Sequence, residues 1–184
     1  MKENRAARFA LTFILLFVVF YYFNIFYFSV TMPSGRYYNS FLSDHLNYIQ
    51  LLRWLLLSGT SLLLKCLGYS PIFNNYDLLV AGHGSIQVVY ACLGLGVLSF
   101  FTAFIIAYPK PVKAKTIAFI TGVLVIELLN IIRFALLAVY GNNHLNRELD
   151  HHTLFNIIIY LVIATGLYFW IKQDITETDK NGAN

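Results

Sequence analysis

Residues 116–140 read TIAFITGVLVIELLNIIRFALLAVY, and this stretch decides the fold class. It is apolar almost throughout and longer than the roughly 20 residues that an α-helix needs to cross the hydrocarbon core of a bilayer. A helix that is hydrophobic on nearly every side must be buried in a large core or in lipid. The length of 184 residues allows one domain and little else. The stretch therefore predicts a transmembrane helix.

Three more apolar runs of spanning length accompany this helix, at residues 9–30, 88–108 and 153–171. Of all residues, 58% are hydrophobic and only 12% are charged, about half the charged share of an ordinary soluble domain. The sequence thus predicts an all-α membrane protein, a bundle of at least four transmembrane helices. We expect one integral membrane domain over residues 1–172 and a disordered cytoplasmic tail over residues 173–184.

The first apolar run could be read as a signal peptide, because Lys2, Arg5 and Arg8 precede it. It is longer than the usual apolar region of a signal peptide, and no Ala-x-Ala cleavage site follows it. We therefore expect an uncleaved membrane anchor.

Lysine and arginine residues predict the orientation. They precede the first helix, lie between the second and third helices, and follow the last, at Lys2, Arg5, Arg8, Lys110, Lys113, Lys115 and Lys172. By the positive-inside rule these three places are cytoplasmic. Both termini then lie inside, and residues 31–87 and 141–152 lie outside. The net charge of +4 is thereby explained by topology, and no basic stripe suits nucleic acid.

A fifth apolar stretch, residues 46–67, does not fit a simple crossing. If it crossed, residues 68–87 would have to cross back, yet they are rich in glycine, asparagine and other polar residues. Irregular polar chain does not run through lipid. We expect an amphipathic helix that lies on, or dips into, the outer leaflet. Two short apolar runs, 78–80 and 86–88, flank Gly-His-Gly-Ser and predict a small hairpin on the outer surface.

Three polar residues interrupt the third transmembrane helix, namely Glu127, Asn130 and Arg133. Their spacing of three residues places them along one face. An arginine at mid-helix costs roughly 2.5–3.5 kcal/mol on insertion scales, so it needs a reason. One interpretation is a structural ion pair with Glu127, or a side chain that reaches outward to water. The other is a functional site.

A thiol and two imidazoles are predicted on the same side of the membrane as Arg133. Cys92 lies at the start of the second helix, which enters from outside, and His151 and His152 stand just before the fourth. Imidazole can take the proton of a thiol, and a nearby cation can stabilise an oxyanion. The set favours nucleophilic catalysis.

Each of these residues also has a simpler interpretation. A lone cysteine in an apolar helix is usually a small core residue, and Cys66 is expected to be one. A histidine pair at a helix start is usually solvated. With His144 the pair could hold a metal ion, although no spacing typical of a zinc site is present. Agreement in depth and side favours the catalytic interpretation, without a metal or cofactor.

Three motifs on successive helices, Ala91–Leu95, Asn130–Arg133 and Asp150–His152, resemble those of the exosortase/archaeosortase family, in particular its short Bacteroidetes-type form. The likeness covers roughly residues 40–170. It implies a membrane-embedded cysteine peptidase or transpeptidase of the bacterial inner membrane, with its active site facing the periplasm. Its partners would be exported proteins that end in a sorting signal, made of a short motif, an apolar helix and a basic tail, together with membrane lipid.

The resemblance also assigns roles. Cys92 would be the nucleophile, Arg133 the conserved arginine, and either His152 or His151 the histidine. His152 is slightly preferred, because its i, i+4 relation to Asn156 could hold the ring toward the bundle.

Glu127 and Asn130 would support Arg133 from behind. The alternative is a non-catalytic membrane scaffold or an accessory subunit of an envelope-polymer export system. A small transporter is disfavoured, because no inverted repeat is visible.

Overall fold

The computed structural model describes the backbone of residues 2–33, 35, 37–140 and 148–181. Side chains are described for residues 5–33, 35, 37–140, 155 and 157–172.

The described chain is mostly helical, with one small sheet. The helices are α1 (Lys2–Thr31), α2 (Ser40–His45), α3 (Tyr48–Cys66), α4 (Leu95–Ala107), α5 (Val112–Tyr140) and α6 (Glu148–Asn181). The strands are β1 (Pro71–Phe73), β2 (Asp77–Val80) and β3 (Ser85–Gln87), and a 3-10 turn over Tyr90–Leu93 leads into α4.

Four segments of the described chain are long and apolar enough to cross a membrane. They are Arg5–Thr31, Ser40–Cys66, Tyr90–Ala107 and Val112–Tyr140. The first, third and fourth of these match the first three predicted spans. Ser40–Cys66 covers all but the last residue of the predicted amphipathic stretch. The described part of α6 contributes a shorter apolar run, Ile157–Lys172. The chain is a multi-pass membrane protein, and the predicted all-α membrane fold is confirmed.

Helices α1 and α4 pack antiparallel through aromatic rings. Phe9, near the start of α1, lies 5.4 Å from Phe104 near the end of α4, centroid to centroid. Phe28, near the end of α1, lies 4.7 Å from Tyr90, just before α4. Such ring pairs contribute about 0.5–1.5 kcal/mol each beyond their buried area. The 3-10 turn is therefore at the same end of the bundle as the end of α1, as alternating crossings require.

The predicted helix over residues 46–67 is present as α3, but it buries polar side chains among aliphatic ones on its inner face, unlike a helix lying on a membrane surface. Arg53 and Thr60 are buried against the bundle, whereas Leu51, Trp54 and Leu62 are exposed. A surface helix turns its polar side to water. The exposed apolar side chains of α3 suit hydrocarbon. Of the two predicted placements, this favours a helix that dips into the membrane over one that lies on its surface.

Helix α3 contacts its neighbouring helices well inside their ends, toward the middle of the bundle. The Tyr48 hydroxyl donates a hydrogen bond of 2.5 Å to Oδ1 of Asn24, which lies seven residues, or about 10 Å, before the end of α1. Asn24 donates in turn to Oγ of Ser99 on α4, at 3.0 Å. Farther along α3, a Cβ at Gly59 would lie 2.7 Å from the side chain of Ile131. Glycine thus lets α3 pack closely on α5.

The predicted hairpin is part of a three-stranded antiparallel sheet in the order β1-β2-β3. Leu78 pairs with Ile86 between β2 and β3, the two strands that were predicted. Strand β1 pairs with β2 and was not predicted. A three-residue strand that begins with proline gives too little alternation to be recognised. Leu78 is fully buried and joins the core that also contains Cys92.

The second helix begins later than predicted. Residues 88–94 are not α-helical, and α4 starts at Leu95. Gly94 has φ of 69°, in the left-handed region that glycine adopts without strain. Its backbone ends the 3-10 turn and redirects the chain into α4. Cys92 therefore lies in a turn in front of the helix and not within it.

The last helix is longer than predicted at both ends. It begins at Glu148, so His151 and His152 lie within α6 and not before it. It continues to Asn181, through most of the tail for which disorder was expected. No glycine or proline interrupts residues 173–181, and these are the residues that most strongly end a helix.

Candidate active site

Cys92 is held by the backbone of the 3-10 turn. Its N–H donates a hydrogen bond of 2.9 Å to the carbonyl of Val89, and its side chain is 6% exposed. The turn stands directly before the N-terminus of α4, which begins at Leu95. The sulfur is thus fixed in a buried turn at the end of the bundle where α1 ends and α4 begins.

The predicted polar face of α5 points into the protein. Glu127, Asn130 and Arg133 are all less than a tenth exposed. The Arg133 guanidinium lies within electrostatic range of the Cys92 sulfur. The structure therefore brings together the thiol and the cation that the sequence placed on two different helices.

Asn130 lies against the turn that carries the cysteine. A Cβ at Gly94 would lie 2.7 Å from Nδ2 of Asn130, closer than any real side chain is found. Glycine at position 94 is thus required both by its left-handed backbone and by the approach of this carboxamide. Helix α5 and the turn meet at this contact, two residues beyond Cys92.

Glu127 does not form the ion pair that the sequence suggested. Both of its carboxylate oxygens are buried, and neither has a hydrogen-bond partner among the described residues. Asn130 lies beside the carboxylate, but beyond a hydrogen bond of ordinary geometry. A hydrogen-bonded pair between Glu127 and Arg133 is therefore absent, and Glu127 does not hold the guanidinium directly.

A cavity of about 110 Å³ lies beside the cysteine turn. Its walls include Ala91 and Gly94 from the turn, Asn130 and Arg133 from α5, and Ile159 from α6. The turn and three helices, α4, α5 and α6, thus line one partly open cavity beside the cysteine turn. A second cavity, of about 20 Å³, lies beside Arg53 on α3 and contains none of the predicted site residues.

The two candidate histidines lie on α6, but their side chains are outside the described residues, and His144 lies wholly outside them. Their backbone positions can still be compared. Position 152 precedes Ile159 by seven residues, which is about two helical turns, so the two share a face. His151 is offset from that face by about 80°. The face that carries position 152 is therefore the one that lines the cavity.

Two features of the site were not predicted. The cavity depends on how three helices pack, and an apolar sequence does not contain that information. Ile159 and Tyr160 line it, yet an isoleucine and a tyrosine in an apolar helix look like ordinary lipid-facing residues. Gly94 could have been recognised, because a glycine between two leucines at a helix start often marks a left-handed turn.

The family model of the transmembrane exosortases (Exosortase_EpsH) matches residues 3–170. The match contains α1, the 3-10 turn, α5 and the part of α6 that lines the cavity. No curated protein and no solved structure matches the chain.

Proposed function

We propose, from the premise that this chain belongs to the transmembrane exosortase family, that it is a cysteine peptidase or transpeptidase. It cleaves the C-terminal sorting signals of exported proteins at the outer face of the bacterial inner membrane. One observation carries the proposal. Arg133 and the turn that carries Cys92 line one cavity, and the face of α6 that carries position 152 forms another part of its wall.

The chemistry follows from these groups. His152 takes the proton of the Cys92 thiol, and the sulfur attacks the carbonyl carbon of the scissile peptide bond. A carbon–sulfur bond forms, and Arg133 stabilises the negative charge on the carbonyl oxygen. The carbon–nitrogen bond then breaks, and the imidazolium gives its proton to the leaving amine. An acyl-thioester remains on Cys92, and an amine or water resolves it and restores the thiol.

The membrane positions the substrate. A sorting signal contains its own apolar helix, so it reaches the bundle by lateral diffusion within the lipid. Its basic tail stays on the cytoplasmic side by the same rule that orients this chain. The residues before its apolar helix then lie at the outer interface, level with the cysteine turn. Confinement in this way replaces part of the entropy cost of bringing two reactants together.

Co-expression tests the proposal. The chain is produced with exported candidate proteins that end in a short motif, an apolar helix and a basic tail, and their lengths are followed by immunoblotting. We expect wild-type cells to shorten a true substrate and Cys92→Ala cells to leave it intact. Cys66→Ala is the matched control and retains processing. If Cys92→Ala processes every candidate at the wild-type rate, the protein is a scaffold or an accessory subunit.

A further inference from the structure

Asn130 has unused hydrogen-bonding capacity in the cavity. The residue is 1% exposed, and both Nδ2 and Oδ1 are buried with no hydrogen-bond partner among the described residues. Buried polar groups in native proteins nearly always have a partner, so each exception needs an explanation. Asn130 lines the cavity next to the cysteine turn. Its missing partner is therefore expected to enter that cavity.

The chemistry of the carboxamide restricts the ligand. It offers N–H donors at one end and a carbonyl acceptor at the other. A peptide main chain offers the complementary pair, a carbonyl and an N–H, on neighbouring atoms. An anion would use only the donor end and would bind Arg133 better. An apolar group would satisfy neither end.

The size of the cavity restricts the ligand further. An apolar cavity of about 150 Å³ in a well-studied protein holds one benzene molecule. The cavity here is smaller, at about 110 Å³. A cavity of this size suits one peptide unit with a small side chain better than one with an aromatic ring.

We infer that Asn130 binds the main chain of the sorting signal beside the scissile bond, and that the cavity admits a residue with a small side chain there, such as glycine, alanine or serine. The inference rests on the proposed function. It makes Asn130 a specificity residue that contacts substrate, in contrast to the supporting role behind Arg133 that its position in the sequence suggested.

The test uses the purified full-length protein in lipid nanodiscs and two thiol reagents. Ala-Ala-Ala chloromethyl ketone carries a peptide main chain, whereas iodoacetamide does not. Rates of alkylation at Cys92 are measured by mass spectrometry. We expect Asn130→Leu, which has nearly the same volume, to slow the peptidyl reagent about tenfold, as loss of two buried hydrogen bonds implies. The rate of alkylation by iodoacetamide should change less than about twofold.

Two further arms sharpen the result. Asn130→Asp keeps the volume and polarity but loses the N–H donors, so it should also slow the peptidyl reagent. It tests the inference even if Asn130→Leu folds poorly. An Ala-Ala-Phe reagent should label the wild type about tenfold more slowly than the Ala-Ala-Ala reagent, since the cavity suits a small side chain better than a ring. Ile159→Ala enlarges the cavity and should bring the labelling rates of the Ala-Ala-Phe and Ala-Ala-Ala reagents closer together.

The outcomes separate the two proposals. Equal peptidyl labelling of wild type, Asn130→Leu and Asn130→Asp would overturn the inference and indicate that only water fills the cavity. The proposed function would then still stand. If neither reagent labels Cys92 of the wild type faster than Cys66, the nucleophile is wrong and the proposed function fails.

Discussion

The tripeptide Cys-Leu-Gly occurs twice in this chain, at residues 66–68 and 92–94, and the two copies have different surroundings. Both cysteines are free, and both glycines have a left-handed backbone, with φ of 88° at Gly68 and 69° at Gly94. The first copy ends α3 at the surface. The second lies in the core, in the 3-10 turn just before α4. Leu93 is fully buried, whereas Leu67 in the first copy is exposed. The left-handed glycine is common to both copies, so any difference in reactivity must come from the surroundings.

The largest expected contrast is between the two thiols. Cys92→Ser should lower processing of a co-expressed substrate by about a thousandfold or more, because a hydroxyl is far harder to ionise than a thiol. Cys66→Ser should change it less than twofold. Pulse-chase measurement of substrate shortening gives both rates. Comparable losses in the two variants would mean that the second copy has no special role.

The next contrast concerns the cation beside each thiol. Arg133→Gln should lower processing by about 10²–10³, the usual effect of losing one oxyanion donor. Lys65→Gln, beside the exposed Cys66, should leave it unchanged.

Arg133→Lys should also fail, because an ammonium cannot replace the planar guanidinium. The double change Glu127→Gln with Arg133→Gln should stay inactive, since the structure contains no hydrogen-bonded pair between them. Recovery in the double variant would support a purely structural pair. Protein levels in the membrane fraction control for insertion.

The third contrast concerns His152, the residue proposed as the base for the second copy. His152→Ala should lower processing by about 10², within the range for loss of a general base. His151→Ala should lower it less than about threefold, because its position lies off the cavity face of α6. A larger loss in His151→Ala would reverse the assignment.

The smallest contrast is between the two glycines. Gly94→Ala adds backbone strain and a contact with Asn130, so it should cost about 1–3 kcal/mol of stability and reduce processing about tenfold. A Cβ at Gly68 meets nothing within 4 Å. Gly68→Ala should therefore show the backbone strain alone and leave processing within twofold. Thermal unfolding in detergent measures the first effect, and equal shifts in both variants would contradict the role of the Asn130 contact.

The sequence predicted whatever depends on length and hydropathy. Residues 116–140 had to form a membrane helix, and the cost of placing Arg133 in lipid marked it as a residue that needs a reason. Hydropathy did not decide between a buried side chain and one that reaches outward to water. The late start of α4, after Gly94, was not predicted, because hydropathy is high on both sides of this glycine. Periodicity revealed that α3 has two faces but not which one meets lipid. The cavity at Asn130 exists only once three helices have packed.

The burial of Arg53 on α3 has a consequence for the order of biogenesis. Arg53 is buried, donates a hydrogen bond of 2.6 Å to Gln50 and stacks on Tyr76, which lies between β1 and β2. If this helix entered hydrocarbon alone, that charge would meet lipid at a cost of roughly 2.5–3.5 kcal/mol on insertion scales. Packing of α3 against α5 and the sheet removes this exposure. We therefore expect α3, although it is synthesised before α5, to reach its final position only after α5 has been inserted.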